Sequence, residues 1–237
     1  LVKLKKLGFN YYFYCPKEDE KHRLKWRNNY SSEWLKSLQK FCFRAKNLNV
    51  KVIMGISPGI DFDFNSKIDF EILFKKFKIF IEHGAHEVAL MFDDIPNKSE
   101  IYQQLFQKEG VLHAKLVNKL RNKLKKNMFF VPRIYADELI KENPEYLSDL
   151  FCCLKKNIPV FYCGKKIVSK TINDNELSIL RKFTDRNIIF WDNLFANDYC
   201  PKQLFVSPWY GRSLDKNIMA NLTGMIETDL LLLEIIK

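Results

Sequence analysis

The chain has 237 residues, 47% of them hydrophobic, with 39 Lys and Arg against 28 Asp and Glu for a formal charge of +11. That length and apolar content can bury one large core, as a single α/β barrel or as two small domains; the absence of any apolar run of about eighteen residues excludes a helical membrane span, the closing 230–236 stretch being short and carrying Glu234. The positive charge admits a nucleic-acid partner, but the lysines fall singly or in pairs along helical stretches, as at Lys75, Lys76 and Lys78 or Lys119, Lys123, Lys125 and Lys126, which is the pattern of a solvated face, and no binding motif accompanies them.

In chain order, 1–7 ends in Gly8 like the tail of a helix, and 10–15 reads as a strand rich in aromatic residues. A helix follows over 32–48 with Leu35, Leu38, Phe41, Ala45 and Leu48 on one stripe, then a strand over 50–56. Leu73, Phe77, Phe80 and Ile81 define a helix over 69–83, closed by Gly84 where a left-handed cap belongs. Strands over 87–92 and 128–131 flank a long helical region, 98–126, with an interruption expected near Gly110. A helix is expected after Asn143, with Pro144 in its first turn, and strands over 160–162 and 188–191. Between them 173–176 fits a capping box, and 222–226 is a weak last strand.

Alternation of strands and helices predicts a parallel sheet wrapped in helices, a (β/α)8 barrel in which one strand, the first, is missing and the N-terminus is truncated. Without a linker or a short repeat, residues 1–237 read as one domain. A doubly wound open sheet is the rival, although no Gly-rich phosphate fingerprint follows any strand. No secretory leader is visible over 1–8, and the six cysteines, mostly inside apolar segments, read as buried free thiols; both point to a reducing, cytoplasmic setting.

Chemistry in a parallel barrel belongs where strands run out. Those positions hold Lys17 after the first strand, Ser57-Pro58-Gly59-Ile60-Asp61 after the second, Asp93-Asp94 after the third, Tyr135 after the fourth, and Trp191-Asp192-Asn193 with Asp198 after the sixth. Neighbouring strand residues face opposite ways, so Asp93 and Asp94 serve one pocket only if the strand ends there and the chain turns, as Ile95-Pro96-Asn97 allows. Two close acids titrate as a coupled pair suited to acid/base work, while the same dipeptide also fits a helix cap. Trp191 beside Asp192 and Asn193 suits a sugar, with one apolar face and hydroxyl edges, as well as it suits a core Trp. Lys17 meets a hydroxyl or pairs with Glu18 or Asp19, and Tyr135 is a ligand donor or a rim aromatic. The four histidines show no metal-ligand spacing, so neither a metal nor a cofactor is expected.

Taken in order, Tyr14-Cys15-Pro16-Lys17, Lys21-His22-Arg23, Trp26-Arg27, Ile56 to Asp61, Phe92-Asp93-Asp94-Ile95, Tyr135, Val168-Ser169-Lys170, Trp191-Asp192-Asn193, Ala196-Asn197-Asp198-Tyr199, Pro208 and Gly211-Arg212 resemble the catalytic domain of glycoside hydrolase family eighty-four, which includes protein O-GlcNAcases and bacterial β-N-acetylglucosaminidases. The resemblance implies a (β/α)8 barrel that hydrolyses N-acetylglucosaminides, O-GlcNAc-modified proteins among them, with retention, the substrate's own 2-acetamido oxygen being the nucleophile. It implies that Asp93 polarises the acetamido N–H and that Asp94 protonates the leaving oxygen. Tyr135, Trp191 and Asn193 would line the acetamido pocket, and Lys17 and Asp198 would hold hydroxyls. Departures are the absent first strand with its Gly-aromatic loop, Glu227-Thr228-Asp229 where an Asn-Pro pair is usual, Arg133-Ile134 in place of Thr-Glu and Tyr162-Cys163 in place of Trp-Thr. The competing functional reading is a catalytically impaired barrel that binds glycosylated or acidic proteins without turnover; nucleic-acid and membrane partners are not expected, and nothing bears on oligomeric state.

Overall fold

A computed structural model describes residues 1–97, 102, 108–200, 202–212 and 217–236. Among them are seven parallel strands, β1 (Tyr11–Tyr14), β2 (Lys51–Ile56), β3 (Glu87–Met91), β4 (Met128–Val131), β5 (Val160–Tyr162), β6 (Ile188–Asp192) and β7 (Ile218–Ala220). The helices are α1 (Val2–Lys6), α2 (Ser32–Asn47), α3 (Lys67–Glu82), α4 (Glu109–Leu124), α5 (Tyr146–Cys153) and α6 (Ile226–Ile236). Each strand pairs with the next in chain order, from β1 through β7, and β1 and β7 are the edges. A doubly wound sheet reverses its order at a switch point, so this winding rules that rival out.

The sheet is curled. Phe13 of β1 stacks on Phe161 of β5 at 5.4 Å between centroids and meets Trp191 of β6 edge-on at 5.8 Å. Four strand spacings in a flat sheet span about 19 Å, so these rings touch only because the sheet bends into a half-barrel. Inside the curl Ile53, Ala89, Met91, Phe129, Val131 and Phe161 form one apolar plug. The alternate residues, Val52, Met54 and Ile56, Val88 and Leu90, Met128 and Phe130, Val160 and Tyr162, face the helices in the main core. A strand buried on both faces reads as a continuous apolar run, which is why the central strands were visible in the sequence.

Local chemistry explains the starts of α2 and α3 and the end of α3. Ser31 accepts from Trp34 N–H at 3.2 Å and starts α2, and Ser66 accepts from Asp69 N–H at 3.1 Å and starts α3. Gly84 takes φ +96 after α3, and a Cβ there would meet Cys42. Leu4, Leu7 and Phe9 pack on Leu232, Leu233 and Ile236, joining α1 to α6, with an ion pair between Lys3 and Glu234.

Several expectations are corrected. The last strand is β7, not 222–226: Gly224 at φ +79 and the Asp229 carboxylate, accepting from Thr223 N–H at 2.9 Å and Gly224 N–H at 3.0 Å, turn that segment into the start of α6. Glu227, Thr228 and Asp229 are therefore helical. Gly110 lies within the first turn of α4, where a Cβ would come 2.4 Å from Tyr146 O and 2.7 Å from Leu150 N; it is a close approach between α4 and α5. Residues 98–101 and 103–107 of the expected long helix lie outside the described residues. The 173–176 segment opens a 3₁₀ turn, Asp174–Leu177, with Asn173 accepting from Asn175 N–H at 2.9 Å.

Lys76 is not part of a solvated face. It is 3% exposed, and its ammonium donates to the carbonyls of Lys21, Trp26 and Asn28 at 2.6, 2.7 and 2.9 Å, beneath the Tyr30 ring. Of the six thiols only Cys42 and Cys163 are buried, and Cys152 is exposed.

Candidate active site

The alternation that places Phe13, Met91, Phe161, Trp191 and Met219 inside the curl carries on past the strand ends, so Cys15, Asp93, Cys163, Asn193 and Asn221 follow on the same face two residues later. Asp94 would then face away. It does not, because its backbone takes φ +51, a left-handed turn that a non-glycine residue adopts at a cost of roughly 1–2 kcal/mol. The turn brings both carboxyls to the mouth, as the adjacency required.

Asp93 is 8% exposed, and its Oδ1 is a buried acceptor with no hydrogen-bond partner among the described residues. Burial, and then the charge of Asp94, push its carboxyl up to about 6, against the pull of Lys17 and Arg23. Asp94 differs. Burial also works to raise it, but hydrogen bonds from Lys17 and Tyr135 outweigh that and hold it below the usual carboxylate range. Tyr135 OH donates to Asp94 Oδ1 at 2.6 Å, and Lys17 Nζ pairs with Asp94 Oδ2 and reaches Asp198 Oδ2 at 3.2 Å. The Arg23 guanidinium donates to the Asp94 main-chain carbonyl. Burial opposes the Lys17 ammonium, but Asp94, Asp93 and Asp198 together keep it above its ordinary value.

On the other side of the mouth the Trp191 indole N–H donates to Asn193 Oδ1 at 2.9 Å. That oxygen also accepts from Asn221 Nδ2 at 2.9 Å, and Asn193 Nδ2 donates to Ile167 O at 2.9 Å. Lys17, Asp94, Tyr135 and Asp198 are thus joined directly by hydrogen bonds, while Trp191 and Asn193 form a second linked group on β6 and the loop after it. Asp192 belongs to neither. Its carboxylate takes Arg212 Nε at 2.7 Å, Arg212 Nη2 at 3.0 Å and the Trp209 indole at 2.9 Å, and both side chains of the pair are 2% exposed or less. Alternation turns it to the outer face of β6, so the expected ligand contact gives way to a buried ion pair. Arg212 continues to Ser169 O at 2.8 Å and Lys170 O at 2.9 Å, tying that loop to β6.

The Lys21-His22-Arg23 and Trp26-Arg27 segments build the wall beside Lys17. His22, neutral because burial drops it to about 4, bonds Gly55 O through Nδ1 at 2.9 Å. Trp26 donates to Asp61 at 2.7 Å, and Arg27 holds Asp61 and Asp69. With Lys76 below, these bonds fix the loop that presents Lys17 and Arg23.

Sequence reasoning missed Asn221, which stands just past β7 where the misplaced last strand hid it. It also passed over the Arg133 partner. Arg133 Nε and Nη2 donate to Glu109 of α4 at 2.6 and 2.8 Å, and Nη1 to Glu142 at 2.7 Å. The Arg133 N–H donates to Tyr146 OH at 3.1 Å, and that hydroxyl bonds His113 Nδ1 at 2.8 Å. His113 in turn stacks on Phe92 at 4.1 Å. The segment before Tyr135 and the segment carrying Asp93 are therefore linked through one buried network. Among the described residues no cluster of three or more His, Cys, Asp or Glu side chains is arranged to hold a metal.

A curled parallel sheet with two adjacent carboxyls where a strand runs out is the architecture of the parallel-barrel class, whose active sites lie at that face. The family model described as beta-N-acetylglucosaminidase matches residues 1–229. Protein O-GlcNAcase of Rattus norvegicus and that of Mus musculus are each 31% identical over 231 residues, covering 94% of this chain and 25% of those proteins. A solved mutant O-GlcNAc hydrolase of Thermobaculum terrenum superposes with a TM-score of 0.88 at 25% identity, over 98% of this chain and 53% of that one. The chain belongs to the β-N-acetylglucosaminidase family, and it spans about a quarter of the length of its curated relatives.

Proposed function

We propose that the protein is a retaining β-N-acetylglucosaminidase that removes O-linked N-acetylglucosamine from Ser or Thr of proteins, using the sugar's own 2-acetamido oxygen as nucleophile. The observation that carries this reading is the unequal pair at the mouth. Asp93 presents a buried, unpartnered Oδ1, an arrangement that costs about 1–3 kcal/mol until a donor arrives. An acetamido N–H is such a donor, and a carboxylate there polarises the amide toward attack and steadies the oxazolinium that forms.

Tyr135 and Lys17 bond the two oxygens of Asp94. A sugar whose hydroxyls draw Lys17 away lifts that restraint, and the Asp94 carboxyl then takes the one proton the pair shares, delivers it to the leaving oxygen and regains a proton from the water it later activates. In this reading Asp198, which shares Lys17, takes a hydroxyl, and Trp191, Asn193 and Tyr135 line the acetamido pocket; the shared ammonium and the Trp191–Asn193 hydrogen bond support it. Asp192 has no ligand role in this reading.

The sheet is read as that of a single (β/α)8 barrel domain short of one strand, supported by sequential winding and the shared aromatic plug. Six free cysteines favour a reducing, cytoplasmic setting. The tied-up Asp94 also suits a barrel that binds glycosylated or acidic proteins without turnover, and one assay separates the two. Hydrolysis of an aryl β-N-acetylglucosaminide is expected, with a steep rate loss when the N-acetyl group is replaced by N-trifluoroacetyl, which weakens the amide oxygen. Equal rates overturn substrate assistance, and binding without any hydrolysis selects the second reading.

A further inference from the structure

The last turn of α5 ends in two adjacent thiols, Cys152 and Cys153. Cys152 is exposed and Cys153 half-buried, and their sulfurs stand 3.2 Å apart. Both are held in place. The Cys152 thiol donates to Asp149 O at 3.1 Å, while Asn118 Nδ2 donates to Cys153 O at 2.8 Å and its Oδ1 accepts from Lys155 N–H at 3.1 Å, clamping the chain as it leaves the helix. Leu154, at φ −72 and ψ 128, ends the helical path there.

We propose that Cys152 and Cys153 form a vicinal dithiol site for soft, pyramidal, three-coordinate centres, of which trivalent arsenicals are the chemical type. Geometry selects the ligand. A pyramidal centre holds two sulfurs at nearly a right angle, a bite close to the separation found, whereas tetrahedral zinc with Zn–S bonds of about 2.3 Å spreads them to about 3.8 Å. A disulfide is the other fate of a thiol pair, and it is disfavoured here: trans-linked neighbours have Cα atoms about 3.8 Å apart, below the usual span of about 4.4–6.8 Å for bridged cysteines. The neighbouring Cys153 sulfur pushes the Cys152 thiol up. With an aryl arsenoxide two As–S bonds form, the arsenic–oxygen bond breaks, and both thiol protons leave with the oxygen as one water, with no change of oxidation state.

The site is independent of the proposed hydrolase activity, and its test does not use it. Intact-mass spectrometry of the protein treated with phenylarsine oxide is expected to show one adduct that survives excess β-mercaptoethanol and is removed by 2,3-dimercaptopropanol. Cys152→Ser and Cys153→Ser, each with an unchanged circular dichroism spectrum, are expected to lose at least about tenfold of that retention. An adduct that the monothiol strips from the wild-type protein, or one that persists in either folded variant, overturns the assignment.

Discussion

Replacing Glu109 by Leu removes the carboxylate from a pair in which the Arg133 and Glu109 side chains are only 2% and 1% exposed. The guanidinium then keeps a single carboxylate, Glu142, at 2.7 Å on a side chain that is 37% exposed, and Asn143 Nδ2 loses its acceptor at 3.0 Å. Breaking a buried pair on one side costs about 3–5 kcal/mol. The surviving Glu142 contact places this case at the lower end, about 3 kcal/mol, or about 6–12 °C in Tm for a domain of this size. Removing both charges in Glu109→Leu/Arg133→Met leaves unpaired only Glu142, which is partly exposed to water, so the double variant is expected to be more stable than Glu109→Leu alone, with a coupling of about 2 kcal/mol or more. Urea unfolding followed by circular dichroism measures all four corners of the cycle. A loss under about 1 kcal/mol for Glu109→Leu, or strict additivity in the double variant, refutes the claim that this pair anchors the segment leading to Tyr135.

The pair at the mouth needs one shared proton, and in the free protein Asp93, raised to about 6, is the member that holds it longest. The kcat/KM for an aryl N-acetylglucosaminide is therefore expected to fall above about pH 6, and Lys17→Met, which removes a charge that lowers both acids, to move that limb upward; a limb indifferent to Lys17 contradicts the reading. A raised folded pKa means stability that is present in acid and lost as pH rises through about 6. Asp93→Asn should accordingly raise Tm at pH 8 relative to wild type and lose that advantage at pH 4, with the opposite order arguing against a strained, desolvated carboxylate. Gly110→Ala exchanges a helix-propensity gain of about 1 kcal/mol for a clash with the α5 backbone, so a net loss of about 2 kcal/mol or more is expected by thermal melting, and a stabilised variant refutes the close approach.

The alternation of strands and helices was legible because runs such as Val52 to Ile56 and Val88 to Met91 are buried on both faces, while α2 and α3 carry apolar residues at helical spacing. β7 was not. Its three residues are only half-buried, and the apolar letters that follow belong to a turn set by Gly224 and Asp229. Position after a strand end singles out Lys17, Asp93, Asp94, Tyr135 and Asn193, of which hydrogen bonds join Lys17, Asp94 and Tyr135 directly. Asp192 shows the limit of that rule. The same alternation that raised the question of Asp94 sends Asp192 outward, and its partner Arg212 lies twenty residues on, a pairing that no local pattern announces. No local pattern marks Lys76 or Arg133 as buried, because their acceptors, three loop carbonyls and Glu109, come together only in the folded chain.

In the proposed reaction Asp94 gives its proton to the leaving oxygen while Asp93 holds the substrate amide. The most direct measurement compares wild type with Asp94→Ala on a glycopeptide carrying O-linked N-acetylglucosamine and on an aryl N-acetylglucosaminide with a good leaving group. A loss of about 10²–10⁴-fold is expected on the glycopeptide and a much smaller loss on the aryl substrate, which departs without help. Equal rates for wild type and variant on both substrates contradict it.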